Sequence, residues 1–150
     1  MDPPVVLRLF GYGPEAGVGV DGQNEIDVEF SQWDGTAGDI NADFTLYPSV
    51  LKKNGASSYN DNFKIAAPSA TSTTVRYQWS AKQVTWTIMA GTVPIGSTQN
   101  VLKTETYSGT AANIPQSPMP VGINLWSYQD LPTHPWNIVI SDFQIAPQQG

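Results

Sequence analysis

Short runs of alternating apolar and polar residues recur along the chain, and they constrain its fold more than any other feature. Each run is rich in Val, Ile, Thr, Tyr, Phe or Trp and is bounded by a cluster of Gly, Pro, Asn, Asp or Ser. Helical periodicity is almost absent, and many short strands separated by turn signals are typical of sandwiches and barrels. The sequence therefore predicts an all-β protein, an antiparallel β-sandwich.

The ends of these runs set the predicted strands, and the chain of 150 residues is expected to form one domain, 1–150. The runs 74–79 and 83–89 predict a hairpin, 48–62 reads as a long surface loop, and the nearly continuous apolar run 136–145 predicts a strong last strand. In chain order, strands are expected at residues 4–12, 24–30, 40–47, 63–66, 74–79, 83–89, 93–95, 101–107, 120–128 and 136–145.

One predicted strand carries three carboxylates on the same face. Successive side chains of a strand alternate, so Glu25, Asp27 and Glu29 share one face, and Ile, Val and Phe share the other. Neighbouring carboxylates disfavour one another's ionisation and do not help a sheet to pack. The row is either the acidic outer face of an ordinary amphipathic strand or a chemical site. A concave sandwich face suits such a site better than the filled interior of a small barrel.

The spacing of the two glutamates suits glycoside hydrolysis. Their α-carbons would lie about 13 Å apart at roughly 3.3 Å per residue. Side chains that lean over Asp27 would bring the two carboxyls within about 5 to 5.5 Å, the separation expected of a retaining glycosidase. One glutamate would then be the nucleophile and the other the general acid and base, with the aspartate tuning both.

Composition excludes several other classes of protein. With 40% hydrophobic residues, 13% charged residues and a net charge of -6, the chain is globular, and its acidity argues against nucleic acid or anionic lipid as partner. No apolar run reaches a membrane span, and the first residues lack the features of a signal peptide. Cysteine is absent, and the single His134 lies in a proline-flanked segment that predicts a loop, so thiol chemistry, a Ser-His-Asp triad and a His-rich metal site are disfavoured.

The acidic strand also resembles a known signature. Residues 25–30, Glu-Ile-Asp-Val-Glu-Phe, resemble the E-I-D-x-E-F motif of glycoside hydrolase family 16, in the unbulged form of lichenase-type β-glucanases and xyloglucan-active relatives. Residues 9–14 resemble the aromatic strand and loop before that motif, 75–86 resemble its segment with two tryptophans, and 114–118 with 123–126 resemble the run into its N-L-W strand. The ordered set spans nearly the whole chain.

This resemblance implies a concanavalin-like jelly roll with a glucan groove on its concave sheet. It implies a retaining endo-β-glucanase for β-1,3 or β-1,3-1,4-glucans, with Glu25 as nucleophile, Asp27 as auxiliary carboxylate and Glu29 as general acid/base. It also implies an extracellular location, a β-glucan as partner and no cofactor. Aromatic and polar side chains are expected to contact the sugar, namely Trp126, Asn124, Tyr47, Thr45, Trp33 and Phe10.

The chain departs from the family pattern in three places. Gln23 stands where the lichenase type has an aromatic residue, and Thr45 stands where it has an asparagine. Family members also have several strands upstream of the matching segment, whereas only residues 1–4 precede it here. The fold is therefore expected to be truncated, and its uncovered sheet edges are expected to favour self-association.

Two other functions stay open at this stage. The first is a non-catalytic carbohydrate-binding module on the same scaffold. The second is a structural domain stabilised by calcium, since Asp21, Gln23, Glu25 and Asp27 are rich in oxygen ligands. Their spacing lacks the glycine and terminal glutamate of an EF-hand, so no metal site is assigned, although a structural calcium ion elsewhere on the sandwich is left open.

The sequence also suggests positions in the fold for Arg8 and for three further tryptophans. Arg8 is expected on the concave face, where it would pair with a carboxylate or a sugar, or else form an ordinary surface salt bridge. Core packing is expected for Trp79, Trp86 and Trp136.

Overall fold

The computed structural model describes residues 4–13, 22–33, 40–49, 57–66 and 72–147, and these form two antiparallel sheets with almost no helix. The predicted all-β sandwich is confirmed. Within the described residues, one 3-10 turn, Ala111–Asn113, precedes the last strand. The strands are β1 (Val5–Tyr12), β2 (Glu25–Phe30), β3 (Ala42–Tyr47), β4 (Tyr59–Phe63), β5 (Thr73–Ser80), β6 (Gln83–Ala90), β7 (Val101–Tyr107) and β8 (Val121–Ser127).

The acidic strand lies at the centre of the larger sheet. That sheet has the order β4-β3-β2-β1-β8, and the smaller sheet has the order β5-β6-β7. Because β2 has a hydrogen-bonded neighbour on both sides, its side-chain directions are held by two ladders rather than one. The three carboxylates of β2 therefore project from an interior strand of the sheet, paired on both sides.

The hydrophobic core lies between the two sheets and uses the apolar face of β2. Phe44 of β3 stacks on Trp86 of β6 with ring centroids 5.4 Å apart. Trp86 is fully buried and Trp79 packs partly buried against the same cluster, so both expectations of core packing are met. The buried cluster consists of Ile26, Val28, Phe44, Leu46, Val84, Trp86, Ile88 and Ile114.

Charged side chains close the sandwich where β4 faces β7. Lys103 Nζ lies 2.8 Å from Asp61 Oδ2 and 4.8 Å from the centroid of the Phe63 ring. The Tyr59 hydroxyl donates to Glu105 Oε1 at 2.9 Å. These contacts bridge the two sheets at an edge where polar groups still reach water.

The expected strand at residues 136–145 is wrong. No regular strand forms there, and Val139 is 87% exposed. Trp136, expected in the interior, is half-buried beside the exposed His134, with ring centroids 5.1 Å apart. An apolar run becomes a strand only when a neighbouring strand pairs with its backbone, and within the described residues none pairs with this segment. His134 lies outside the strands, as expected of a loop residue.

Two further boundaries differ from the sequence prediction. The expected strand at 93–95 is a turn, because Arg76 of β5 donates to the carbonyl oxygens of Ser97 and Pro94, at 2.9 Å each, and so binds this loop. The expected strand at 63–66 lies earlier, as β4, and occupies the end of the predicted loop 48–62. β4 was predicted as part of the loop because its first four residues, Tyr-Asn-Asp-Asn, have the polar composition typical of loops. Residues 50–56 of that loop lie outside the described part.

Apolar side chains stay exposed around β8. Val121, Ile123 and Leu125 are between 38% and 42% exposed, on the face that elsewhere carries the core. A shallow cavity nearby is lined by apolar side chains and two asparagines, namely Leu7, Ile123, Asn124, Leu125, Trp136, Asn137, Ile138 and Ile140. The expected self-association of the chain stays a prediction.

Candidate functional site

The candidate site is the face of the larger sheet that points away from the core, here called the outer face. Directly paired residues of neighbouring strands point to the same face. The strand register therefore aligns the side chains in rows across the sheet. One row holds Asn124, Arg8, Glu29, Asp43 and Asn62, the next holds Gly122, Phe10, Asp27, Thr45 and Asn60, and the third holds Tyr12, Glu25 and Tyr47.

One guanidinium group contacts all three carboxylates of β2. Arg8 Nη2 forms an ion pair with Glu25 Oε1 and lies 2.9 Å from Asp27 Oδ1, to which Arg8 Nε also donates at 3.1 Å. Arg8 Nε lies 3.5 Å from Glu29 Oε1. The Arg8 Cζ atom also lies 4.7 Å from the centroid of the Phe10 ring. Of the alternatives left open for Arg8, the structure shows pairing with carboxylates, and this pairing includes all three acids of β2.

The three carboxylates differ in their access to water. The side chains of Glu25 and Asp27 are 1% and 2% exposed, whereas that of Glu29 is 12% exposed. Glu25 is held at both oxygens, because the Gly22 N–H donates to its Oε2 at 3.3 Å. Glu29 is therefore the member of the trio with the most access to solvent.

Gly22 is required at this position for two reasons. Its φ of 72° lies in the left-handed region that side chains disfavour. A Cβ added there would also lie 3.3 Å from the Tyr47 ring. The glycine thus lets the backbone approach Glu25 and Tyr47 together.

Burial controls the protonation of the middle carboxylate. It raises the pKa of Asp27 to about 8, against the lowering effect of Arg8 and with a further increase from Glu29. Burial likewise raises the pKa of Asp43 to about 6, although hydrogen bonds from Asn60 and Thr45 oppose it. Asp27 therefore holds a proton near neutral pH, which reduces repulsion in the row.

We expect the free energy of unfolding to fall as the pH rises from about 4 to about 8. The pKa of Asp27 is higher in the folded chain, about 8, than its ordinary value of 3.8, so the folded state binds more protons in that interval. Urea unfolding midpoints across the interval measure the effect, and Asp27→Asn should flatten the curve because the amide mimics the neutral acid. The exposed Asp142→Asn is the matched control. A wild-type stability that rises with pH would contradict the assignment.

Polar residues missed by the sequence analysis extend the site toward β4. Asn60 Nδ2 donates to Asp43 Oδ2 and to Thr45 Oγ1, both at 3.0 Å. Asp43 is 4% exposed, and its Oδ1 has no hydrogen-bond partner among the described residues. In the sequence, the alternation of polar with apolar residues already indicated that Asp43 shares a face with Thr45 and Tyr47. Asn60 could not be placed in this way, because it lies in the segment predicted to be a loop.

Asn24, also missed, anchors the start of β2. It is fully buried with a φ of 49°, a conformation that asparagine tolerates better than most residues. Its side chain donates to the Gly13 carbonyl at 2.8 Å and accepts from the Ser49 hydroxyl at 3.1 Å, and its N–H donates to the Pro48 carbonyl at 2.7 Å. Asn24 thereby fixes the position of Glu25 next to it.

Three aromatic rings cluster beyond Glu29, the last of the three carboxylates along β2. Trp126, which is 39% exposed, pairs with Val6 and so shares the outer face with Arg8. The Tyr128 ring contacts Trp33 and Trp126 edge to face, with centroids 5.6 Å and 6.0 Å apart. The structure thus brings together two of the expected sugar-contacting residues and adds Tyr128.

The other expected site residues lie on the outer face at defined places. Tyr47 pairs with Glu25, and Thr45 pairs with Asp27. Phe10 pairs with Asp27 from the opposite side, and Asn124 pairs with Arg8. Trp33 lies just after β2 and belongs to the aromatic cluster with Tyr128.

No group of three or more His, Cys, Asp or Glu side chains within the described residues is arranged to hold a metal ion. Asp21, named among the oxygen-rich residues, lies outside the described part. Within that part, no helix has the length and apolar character needed to cross a membrane.

Comparison of the chain with protein-family models, with curated proteins and with solved structures gives no match. The likeness to glycoside hydrolase family 16 therefore rests on the sequence motifs and stays a prediction.

Proposed function

We propose that this protein is a retaining endo-β-glucanase of the family 16 type that acts on β-1,3 or β-1,3-1,4-glucans. The observation that carries the proposal is the placement of Glu25, Asp27 and Glu29 on one face of the central strand, all in contact with the guanidinium of Arg8. Contact of both glutamates with one guanidinium is compatible with the carboxyl separation of about 5 to 5.5 Å that retention requires.

The different surroundings of the two glutamates support different roles. Glu25 binds Arg8 with one oxygen and the Gly22 N–H with the other, which favours its ionised form and suits a nucleophile. Glu29 makes the longest contact with Arg8 and has the most access to water, which suits a general acid that must be reprotonated in each cycle.

The reaction would proceed in two displacements. A Glu25 oxygen forms a bond to the anomeric carbon as the bond to the leaving oxygen breaks, and the proton of Glu29 passes to that oxygen. Glu29, now ionised, takes a proton from water, and the water oxygen attacks the anomeric carbon and releases Glu25. The configuration at the anomeric carbon is retained, and no cofactor is needed.

The outer face supplies groups suited to a neutral polysaccharide. Trp126 offers an exposed apolar ring face, and Asn124 lies in the same row as Glu29. A glucan of this kind is a cell-wall or extracellular material, so we propose an extracellular location.

A carbohydrate-binding module without catalysis is the second candidate, and one observation favours it. A nucleophile must reach the anomeric carbon, whereas the Glu25 side chain is only 1% exposed. The exposed Trp126 could bind sugar rings whether or not Glu25 is reached. In this alternative, the three carboxylates would serve mainly to position Arg8.

Product analysis on a panel of β-glucans tests the proposal. We expect new reducing ends from a β-1,3 or mixed-linkage glucan, and proton NMR should show the β-anomer of the new end before mutarotation. Affinity electrophoresis in the same glucans provides the contrast. Retardation of the protein without reducing ends would select the binding module, and neither retardation nor reducing ends would reject both candidates.

A further inference from the structure

We propose that Arg8 is a positioning residue that fixes which of the two glutamates of β2 carries negative charge, holding it on Glu25 and leaving Glu29 as the group that gains and loses a proton. The consequence for catalysis rests on the proposed function, but the charge pattern itself does not. The structure assigns this role through the unequal contacts that one guanidinium makes.

The contacts of Arg8 become weaker along the row toward Glu29. Arg8 Nη2 binds both Glu25 and Asp27, and Nε adds a second donor to Asp27 at 3.1 Å. The contact with Glu29 is 3.5 Å, longer than an ordinary charge-assisted hydrogen bond. Since the two glutamates are chemically identical, the position of this cation is what distinguishes them most directly.

The guanidinium is held in place from its other side. Arg8 lies over the Phe10 ring at 4.7 Å, and the Phe10 ring fills the space above Gly122. A Cβ at Gly122 would come within 2.5 Å of the Phe10 ring, so a larger residue there would displace the ring. The Arg8 backbone pairs with β2 on one side and β8 on the other, which fixes the start of the side chain.

One positive charge faces more acidic groups than it can neutralise. Arg8 also acts beyond the three carboxylates of β2, because its charge lowers the pKa of Asp43 of β3. The charge of Asp27 in turn raises the pKa of Tyr77 of β5. Burial raises the pKa of the Tyr77 phenol, so this group stays neutral. Tyr12 of β1 and Tyr47 of β3 pair with Glu25 from its two sides. The three carboxylates must therefore retain protons: burial leaves one on Asp27, and the unequal contacts of Arg8 distinguish Glu25 from Glu29.

Carbon-13 NMR titration of the side-chain carboxyls tests the inference without any substrate. In the wild type, Glu25 should lose its proton at a lower pH than Glu29. In Arg8→Met, which keeps length without charge, the titration of Glu25 should move upward by about 1 to 3 pH units, the usual effect of an adjacent opposite charge. The shift of Glu29 should be smaller. Lys103→Met removes a cation outside the row and should leave both titrations unchanged.

Each result of the titrations either supports or overturns the role proposed for Arg8. A wild-type order in which Glu29 ionises before Glu25 would overturn the inference, and this measurement remains available if Arg8→Met does not fold. Equal shifts of both glutamates, or none, in Arg8→Met would also overturn it. Arg8→Lys, which retains the charge but not the fork, should place the Glu25 titration between wild type and Arg8→Met.

A kinetic experiment then separates this inference from the proposed function. If the enzyme is active, the acidic limb of its kcat/KM profile should move upward in Arg8→Met by the shift measured for Glu25. The expected titration shifts with an inactive wild type would uphold the role of Arg8 in the charge pattern and refute the glucanase proposal. An active enzyme whose acidic limb ignores Arg8→Met would refute the positioning role alone.

Discussion

Glu25→Gln should reduce the release of reducing ends from a mixed-linkage glucan by a factor on the order of 10⁴ or more, since no other group replaces a lost nucleophile. Glu25 begins the central strand of the larger sheet, and its carboxylate is held by Arg8 and by the Gly22 N–H. Glutamine fills the same space but cannot form the glycosyl ester. The loss should therefore appear in kcat, with the fold unchanged.

Glu29→Gln should fail in a different way, which makes the pair of variants informative. The loss of a general acid costs about 10²-fold to 10⁴-fold when the leaving group needs a proton. An aryl glycoside with an acidic phenol as leaving group needs none, so Glu29→Gln should retain formation of the glycosyl-enzyme and show a burst of phenol. Glu25→Gln should show no burst with the same substrate.

Two controls accompany these variants. Asp142→Asn removes an exposed carboxylate after β8 and should keep full activity. Circular dichroism and urea midpoints should show that each variant is folded. Retained glucan cleavage in Glu25→Gln would refute the nucleophile assignment, and a phenol burst in Glu25→Gln but not in Glu29→Gln would require the two roles to be exchanged.

The face on which the carboxylates lie could be predicted because strand periodicity is local. In β2, alternation alone separates the apolar residues that reach the core from the three acids that do not. The same reasoning located β1, β7, β8 and the β5-β6 hairpin to within one residue or so. Where each strand combined β-branched or aromatic residues with clear turn signals, the sequence was sufficient.

The contacts of Arg8 could not be predicted in the same way, because they depend on pairing between strands. Arg8 faces Glu29 only in the observed β1-β2 register, and a shift of one residue would turn its side chain into the core. Sequence reasoning left pairing with a carboxylate, pairing with a sugar and a surface salt bridge as alternatives. The network of Asp43 with Asn60 depends on β4, whose polar sequence resembled a loop.

The failure at residues 136–145 has the opposite cause. That segment has the composition of a strand, yet within the described residues no partner strand pairs with it, and its apolar side chains stay exposed. Composition reports what a segment would form if paired, whereas the ladder of backbone hydrogen bonds determines whether it forms. Burial of Glu25 likewise depends on packing from several elements and has no local signal.

Trp86→Ala should lower the free energy of unfolding by about 3 to 5 kcal/mol, the usual cost of removing a large buried aromatic side chain. Trp86 is fully buried, stacks on Phe44 at 5.4 Å and lies 6.2 Å from the Tyr59 ring, so its loss would empty the space between the sheets. Trp126→Ala is the matched control, because Trp126 is 39% exposed on the outer face and its main loss is one aromatic contact worth about 1 kcal/mol.

Urea unfolding measures both variants, and Trp86→Phe keeps the test available if Trp86→Ala does not fold. The phenylalanine ring preserves most of the stacking on Phe44 and removes an indole N–H that has no hydrogen-bond partner among the described residues. Part of the cost of the smaller ring should therefore be recovered, and we expect a loss clearly below that of Trp86→Ala. Equal losses in Trp86→Ala and Trp126→Ala, or a loss in Trp86→Phe as large as that expected for Trp86→Ala, would contradict this account of the packing around Trp86.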